Sequence, residues 1–489
     1  MNQNDPINFT ISLHKNIETI KDHLNNTTEL VVRTIRIGKP KPLEVSLIYL
    51  DDLVNADVIR DFLITPLFLF QDIKEIGKEP LIDYLATRHI RASSVEIVTS
   101  FEDALNGIVR GRTLILVDGY NNGIIAETTQ WQQRSVAPSI RERSTNGPMI
   151  GLSEQLKVNL NLIRSYIQSP DLCVESKQIG RFAKTDLAIV YLKNKVDKLA
   201  LEEVQTRIEN LDVEYVIEPR VVEDALEGRK KPFFPLVYNT EMPDITANAL
   251  YEGRIAIIMN GSPVASIAPT LFVHYLSQPT EYYSKIGRFS NRLILLFCIF
   301  LTVYLPGIYL AVANFHSNWF PVKFAKKYFT HSDTILSFPL EIGILIFVLY
   351  LMSLAAFRIP TDLIVVASLV GTMVVSTTLV DSKLVHSLSL IIVGITFLTG
   401  LLFISGGLIS TLNTLRIIFS IVGCFFGLTT MGICFLLFFI YMSRLRSVGV
   451  PYLAPIIPFR PQEFKDVFYR GDLKKLLNSP HKFPHDDKE

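Results

Sequence analysis

The sequence predicts an α+β soluble domain that is duplicated, followed by an all-α bundle of membrane-spanning helices. Three observations predict this. Charges of both signs are dense up to about residue 291 and nearly vanish between 293 and 441. The charged part repeats itself at a constant offset of 142 residues. The apolar part contains runs long enough to cross about 30 Å of hydrocarbon. The chain then divides into a first repeat (1–133), a linker (134–150), a second repeat (151–290), a transmembrane region (291–443) and a cytosolic tail (444–489).

The repeat rests on separated segments that hold one register. "GRTLILVDGYNNGIIAE" (111–127) matches "GRIAIIMNGSPVASIAP" (253–269), with Gly111 on Gly253, Arg112 on Arg254 and Gly119 on Gly261. The same offset pairs "LIYL" (47–50) with "IVYL" (189–192), and Ile37-Gly38 with Ile179-Gly180. Leu13, Ile17, Ile20 and Leu24 occupy one face of an amphipathic helix, and Leu156, Leu160, Ile163 and Ile167 repeat that face one residue out of step. After each strand comes a helical pattern, carrying Ile59 and Phe62 in one copy and Leu201 and Val204 in the other. Each copy therefore reads helix, strand, helix, further helical pieces and a closing hairpin.

In that hairpin, Gly119 and Gly261 supply the positive φ of a tight turn, and alternating apolar residues supply a buried face. The small residues of "NGSP" also suit a ligand loop, but the chain has no GxxxxGK[ST] leading into a helix. "RSVAPSIRERSTNGP" (134–148) is polar and basic and holds two prolines, the pattern of a solvated linker that could also meet a partner or anionic lipid.

Composition narrows the function. The 489 residues are 49% hydrophobic with a mean hydropathy of +0.30, too apolar for a wholly soluble protein. A net charge of +1 gives nucleic-acid binding no support. Cys173, Cys298, Cys424 and Cys434 have no metal-like spacing, and the first residues lack a basic, then apolar, secretion signal, so the repeats are expected in the cytosol. The nine histidines form no HExxH, and there is no nucleophile elbow, kinase signature or Rossmann glycine pattern. No enzyme and no cofactor is expected.

Five apolar segments follow, at 293–313, 340–357, 363–380, 388–409 and 417–441. Pro306-Gly307 predicts a kink in the first. The second contains Glu341. Five full crossings would put Arg444 and Arg446 outside, so four crossings plus one re-entrant segment at 340–357 fit the positive-inside tendency better. Ser368, Thr372 and Ser376 recur every fourth residue beside Gly371, either a close-packing face or the lining of a polar path. Gly423 and Gly427 form a GxxxG expected to pack helices. Arg416, between two spans, reads as an interface anchor or a pore-mouth residue.

From about residue 147 onward the order of short motifs resembles the A subunit of GerA-type spore germinant receptors. The motifs are Gly147-Pro148, Glu154, "NLNLIR" (159–164), "PFFP" (232–235), "TEMPD" (240–244), "EGR" (252–254), "NGSP" (260–263), "EYY" (281–283), "FRIP" (357–360) and "VPYLAP" (450–455). The chain departs from the pattern at Met242, Asn260 and Asn146, and "LIFVLYLMSLAA" replaces a charged helix. The resemblance implies a subunit in the inner membrane of the endospore, with its N-terminal domain facing the core. It implies a multi-span B subunit that holds the nutrient, a lipoprotein C subunit, and homo-oligomers that release ions on nutrient binding. A non-conducting scaffold or a partner of a secondary transporter is the alternative. Within "TEMPD…EGR", Thr240 is expected to cap a helix. Glu241, Asp244 and Glu252 are expected to surround Arg254, as an internal ion-pair network or as a subunit contact.

Overall fold

The computed structural model describes residues 8–39, 42–70, 80–130, 142, 148–228, 232–276, 287–323, 329, 336–356, 385–403 and 406–460. The first five-stranded sheet contains β1 (Leu30–Ile37), β2 (Leu43–Leu50), β3 (Val95–Val98), β4 (Thr113–Val117) and β5 (Gly123–Ala126), in the order β1-β2-β4-β5-β3. The second contains β6 (Leu172–Ile179), β7 (Thr185–Leu192), β8 (Tyr238–Thr240), β9 (Ile255–Met259) and β10 (Ala265–Ala268), in the order β6-β7-β9-β10-β8. Corresponding strands pair antiparallel in the same register: Leu30 faces Leu50 and Leu172 faces Leu192. The 142-residue offset is thus a structural duplication.

Each sheet is a middle layer. In the first repeat, Ile115, Val117 and Ile124 pack beneath the helical runs of residues 56–70 and 81–90, while Leu114, Leu116 and Ile125 pack on α1 (Leu13–His23) and α2 (Phe101–Val109). In the second, Ala256 and Ile258 pack on α3 (Leu156–Tyr166) and α6 (Pro243–Tyr251). Ile255, Ile257 and Met259 pack on α4 (Lys198–Glu209) and α5 (Pro219–Glu227). The hairpin strands are therefore buried on both faces, where the sequence suggested one. The sequence reading also lacked β1 and β6, because Arg33, Arg36, Glu175 and Lys177 interrupt their apolar pattern on half-exposed edge strands.

The glycine readings hold. Gly119 and Gly261 have φ of 88° and 86°. Gly111 and Gly253 also have positive φ, and a Cβ there would press on the carbonyls of Leu53 and Lys195, themselves 142 residues apart. The turns also hold the first helix of each repeat: Leu13 N–H donates to Asp118 Oδ1 (3.2 Å) and Leu156 N–H to Asn260 Oδ1 (3.1 Å). Asparagine at 260 keeps the acceptor that this contact needs.

The apolar helices are α7 (Gly287–Phe315), α8 (Phe338–Ala356), α9 (Ser387–Gly400) and α10 (Gly406–Arg444). The helix of α7 continues through Pro306. The proposed fourth segment (388–409) is not one span: α9 has 14 residues, about 21 Å at 1.5 Å each, and ends before α10 begins. The last segment is not one span either. Gly427 has φ 76° inside α10, and the chain folds back there. Phe419 and Phe438 would lie ~28 Å apart on a continuous helix, yet their rings are 6.4 Å apart. Tyr304 touches both Phe419 (4.5 Å) and Phe435 (5.5 Å). Thus α10 is a helical hairpin with arms of ~31 and ~26 Å.

The hairpin brings Arg444 back to the soluble sheets. Phe233 N–H donates to Tyr441 Oη (2.9 Å), and Thr411 Oγ1 donates to Phe233 carbonyl (2.8 Å). Beyond it, β11 (Arg446–Ser447) and β12 (Val450–Pro451) lie on the second repeat. There, Thr270 N–H donates to Ser447 Oγ, Ser447 Oγ donates to Leu236 carbonyl, and Phe272 N–H donates to Tyr452 carbonyl. The tail up to Arg460 is therefore partly docked.

Candidate functional site

The expected charge cluster separates into two sites. Arg254 is buried: its Nε donates to Pro269 carbonyl (3.0 Å), its Nη2 to Thr270 Oγ1 (3.4 Å), and it lies over the Tyr238 ring. Of the three acids, only Glu252 reaches it, at 3.7 Å. Burial lowers its pKa. These bonds tie the hairpin strand to the segment that precedes α7.

Glu241 and Asp244 instead lie beside Glu142, from the stretch read as a solvated linker. Glu142 is buried; Thr240 Oγ1 donates to its Oε2 at 2.5 Å and Glu241 N–H at 3.2 Å. Burial, opposed by those bonds and reinforced by Glu241 and Asp244, pushes its carboxyl up to about 7. Thr240 is not the cap of α6. Met242 holds that position, with Pro243 following, because the Thr240 hydroxyl is engaged with Glu142 and with Met242 N–H. Nothing in the sequence pattern marked Glu142.

The repeats meet through a second polar site. Arg164 on α3 bonds Glu29 through Nε (3.0 Å) and Nη2 (2.5 Å), both side chains being buried. Asn161 Nδ2 donates to the carbonyls of Asp52 and Gln130, and Thr28 N–H donates to Val174 carbonyl. Burial, then the adjacent Glu29 carboxylate, pushes Asp52 up to about 7. Arg164 belongs to "NLNLIR", which the sequence singled out without a contact to explain it.

In the apolar helices, Gly423 packs backbone to backbone on Gly307, so a Cβ at Gly423 would overlap the Gly307 carbonyl and a Cβ at Gly307 the Phe419 carbonyl. Gly427 does not pack with it on one face; it makes the reversal, against the Phe315 ring. Arg416 is buried on the first arm of α10, and among the described residues its Nε has no hydrogen-bond partner. Ser368, Gly371, Thr372 and Ser376 lie outside the described residues. Sequence reading noted Glu341 only as a blemish, yet it is enclosed together with His386, Ser389 and Tyr309. Among the described residues no group of three or more His, Cys, Asp or Glu side chains could hold a metal ion.

Fold and sites define a two-part protein: a duplicated α+β domain, latched by buried charge contacts, on a set of tightly packed apolar helices. The profile described as Bacillus/Clostridium GerA spore germination protein matches residues 18–482, and the chain belongs to this family. It is 30% identical over 468 residues to spore germination protein KA of Bacillus subtilis (strain 168), covering 95% of this chain and 85% of that one. It is 26% identical to spore germination protein GerLA of Bacillus cereus, covering 96% and 95% respectively. A crystal structure of the N-terminal domain of the A subunit of the Bacillus megaterium spore germinant receptor GerK3 aligns at 28% identity. The alignment covers 55% of this chain and 98% of that domain, with a TM-score of 0.43.

Proposed function

We propose that the chain is the A-type membrane subunit of a nutrient receptor that triggers spore germination. It sits in the inner membrane of the endospore with its repeats facing the core. It assembles with a multi-span B subunit, a lipoprotein C subunit and further copies of itself, and the oligomer releases ions when nutrient binds. The family match over nearly the whole chain carries this reading. The helices support it: α7 and α10 are long and apolar enough to cross a membrane, and Phe297, Phe300, Phe425, Phe426 and Leu436 are exposed on them. Exposed apolar surface of that extent requires lipid or another subunit against it.

The native mass of the gently solubilised complex, with its subunit stoichiometry, tests the proposal. Several copies of this chain per complex support a conduit around a shared axis. One copy per B subunit favours the non-conducting scaffold or transporter partner. If the Ser368, Thr372 and Ser376 face lines the conduit, Thr372→Leu slows ion release at unchanged protein level; unchanged release removes that face from the pore.

A further inference from the structure

One carboxylate among the apolar helices is completely enclosed. Glu341, in the first turn of α8, has no exposed surface. Its Oε2 accepts from Ser389 Oγ (2.7 Å) and from His386 backbone N–H (3.3 Å). Ser389 has a single proton and directs it to Glu341, so Tyr309 Oη, 3.0 Å away, is the donor to Ser389 Oγ. One hydrogen-bonded chain therefore links α7, α9 and α8 and ends on the carboxylate. Among the described residues, Glu341 Oε1 has no hydrogen-bond partner. Neither has His386 Nε2, although that side chain is buried and its ring stacks on Phe338 at 5.7 Å.

A carboxylate in apolar surroundings needs a compensating positive charge, and an unbonded buried oxygen adds to that need. Among the described residues, the ionisable groups around it are Tyr309 on α7, His386 at the start of α9, and Cys424, which borders the same apolar cluster from α10. Arg416, also on α10, forms no ion pair with it among the described residues. Among the described residues, Glu341 thus has no cationic partner, and Glu341 Oε1 and His386 Nε2 have no hydrogen bond.

We propose that Glu341, His386, Ser389 and Tyr309 form a binding site for one alkali metal ion that holds α7, α8 and α9 together. A single carboxylate with hydroxyls and an imidazole suits one positive charge, and the absence of a third His, Cys, Asp or Glu among the described residues argues against a divalent ion. Glu341 Oε1 and His386 Nε2 are the two open acceptors. The site does not depend on the receptor reading, since a structural cation in a non-conducting bundle would occupy it equally.

The test uses the full chain, solubilised in detergent and exchanged into choline chloride. Thermal unfolding and calorimetric titration follow addition of sodium or potassium at fixed pH. Sodium or potassium is expected to raise the wild-type midpoint, and the rise to be lost in Glu341→Gln, which keeps an acceptor for Ser389 and His386. His386→Ala then weakens binding by roughly 10–100-fold. A wild-type midpoint that ignores both salts, or identical responses of wild type and Glu341→Gln to them, overturns the site. Should Glu341→Gln fail to fold, the same comparison with His386→Ala decides.

Discussion

At the scale of single residues, the buried charges make the sharpest predictions. Arg164 and Glu29 are almost fully enclosed and bonded twice. Removing one partner strands the other, so Arg164→Ala should destabilise the chain by about 3–5 kcal/mol, whereas replacing both by apolar residues of similar volume should cost much less. Denaturant unfolding of the full chain with the single and paired substitutions measures the difference; equal losses would mean that the pair is not what joins the repeats. Glu142 predicts a pH effect. Its carboxyl stands at about 7 when docked, against 4.5 in its ordinary state. The docked form therefore holds the proton more tightly, and its stability is complete below pH 4.5, falls as pH rises and levels off above about 7. Hydrogen exchange at the Glu241 amide, corrected for intrinsic rate, should lose protection over that window in wild type and not in Glu142→Gln. Neither role was legible in the sequence, because each depends on a partner about 100 or more residues away.

At the scale of elements, the duplication was legible because an offset of 142 residues, slipping by one at the first helix, preserves both backbone and polar contacts. Thr10 and Asn16 exchange bonds, as do Ser153 and Asn159, and Asp118 and Asn260 accept from the equivalent N–H groups of Leu13 and Leu156. Strands β1 and β6 were hidden because edge positions tolerate Arg33 and Glu175 where a central strand would not. The reversal of α10 was hidden for a different reason. Gly423 and Gly427 look alike in a GxxxG, but one permits close approach to Gly307 and the other permits φ 76°. Their substitutions should therefore fail differently. Gly423→Ala forces a Cβ into the Gly307 backbone and should cost about 1–3 kcal/mol by overpacking. Gly427→Ala meets no comparable obstruction and should cost about 1–2 kcal/mol through its backbone conformation. Gly432→Ala, with open space around its Cβ position, is the control. Thermal unfolding in detergent separates them, and a Gly423→Ala protein as stable as the control would remove the close approach.

At the scale of the whole molecule, the hairpin decides which parts would share a side of the membrane if α7 and α10 cross it, as proposed. The sequence balanced its charges by treating 340–357 as re-entrant. The structure brings Arg444 back to the repeats by folding α10 at Gly427, and it holds Ser447 and Tyr452 on the second repeat. The opposite end is marked by Phe315 beside Gly427, with Trp319 exposed just beyond α7. With α7 crossing the bilayer, as proposed, a cysteine at Phe182, exposed on the second repeat, and one at Arg446 should react with an impermeant thiol reagent from one side, and a cysteine at Trp319 from the other. The background is a chain with Cys173, Cys298, Cys424 and Cys434 replaced by serine that still assembles. Labelling of 182 and 446 from opposite sides would break the docked tail and the hairpin together. Labelling of all three from one side would instead leave the fold standing and withdraw the crossing, because the same packed helices would then have to be covered by protein.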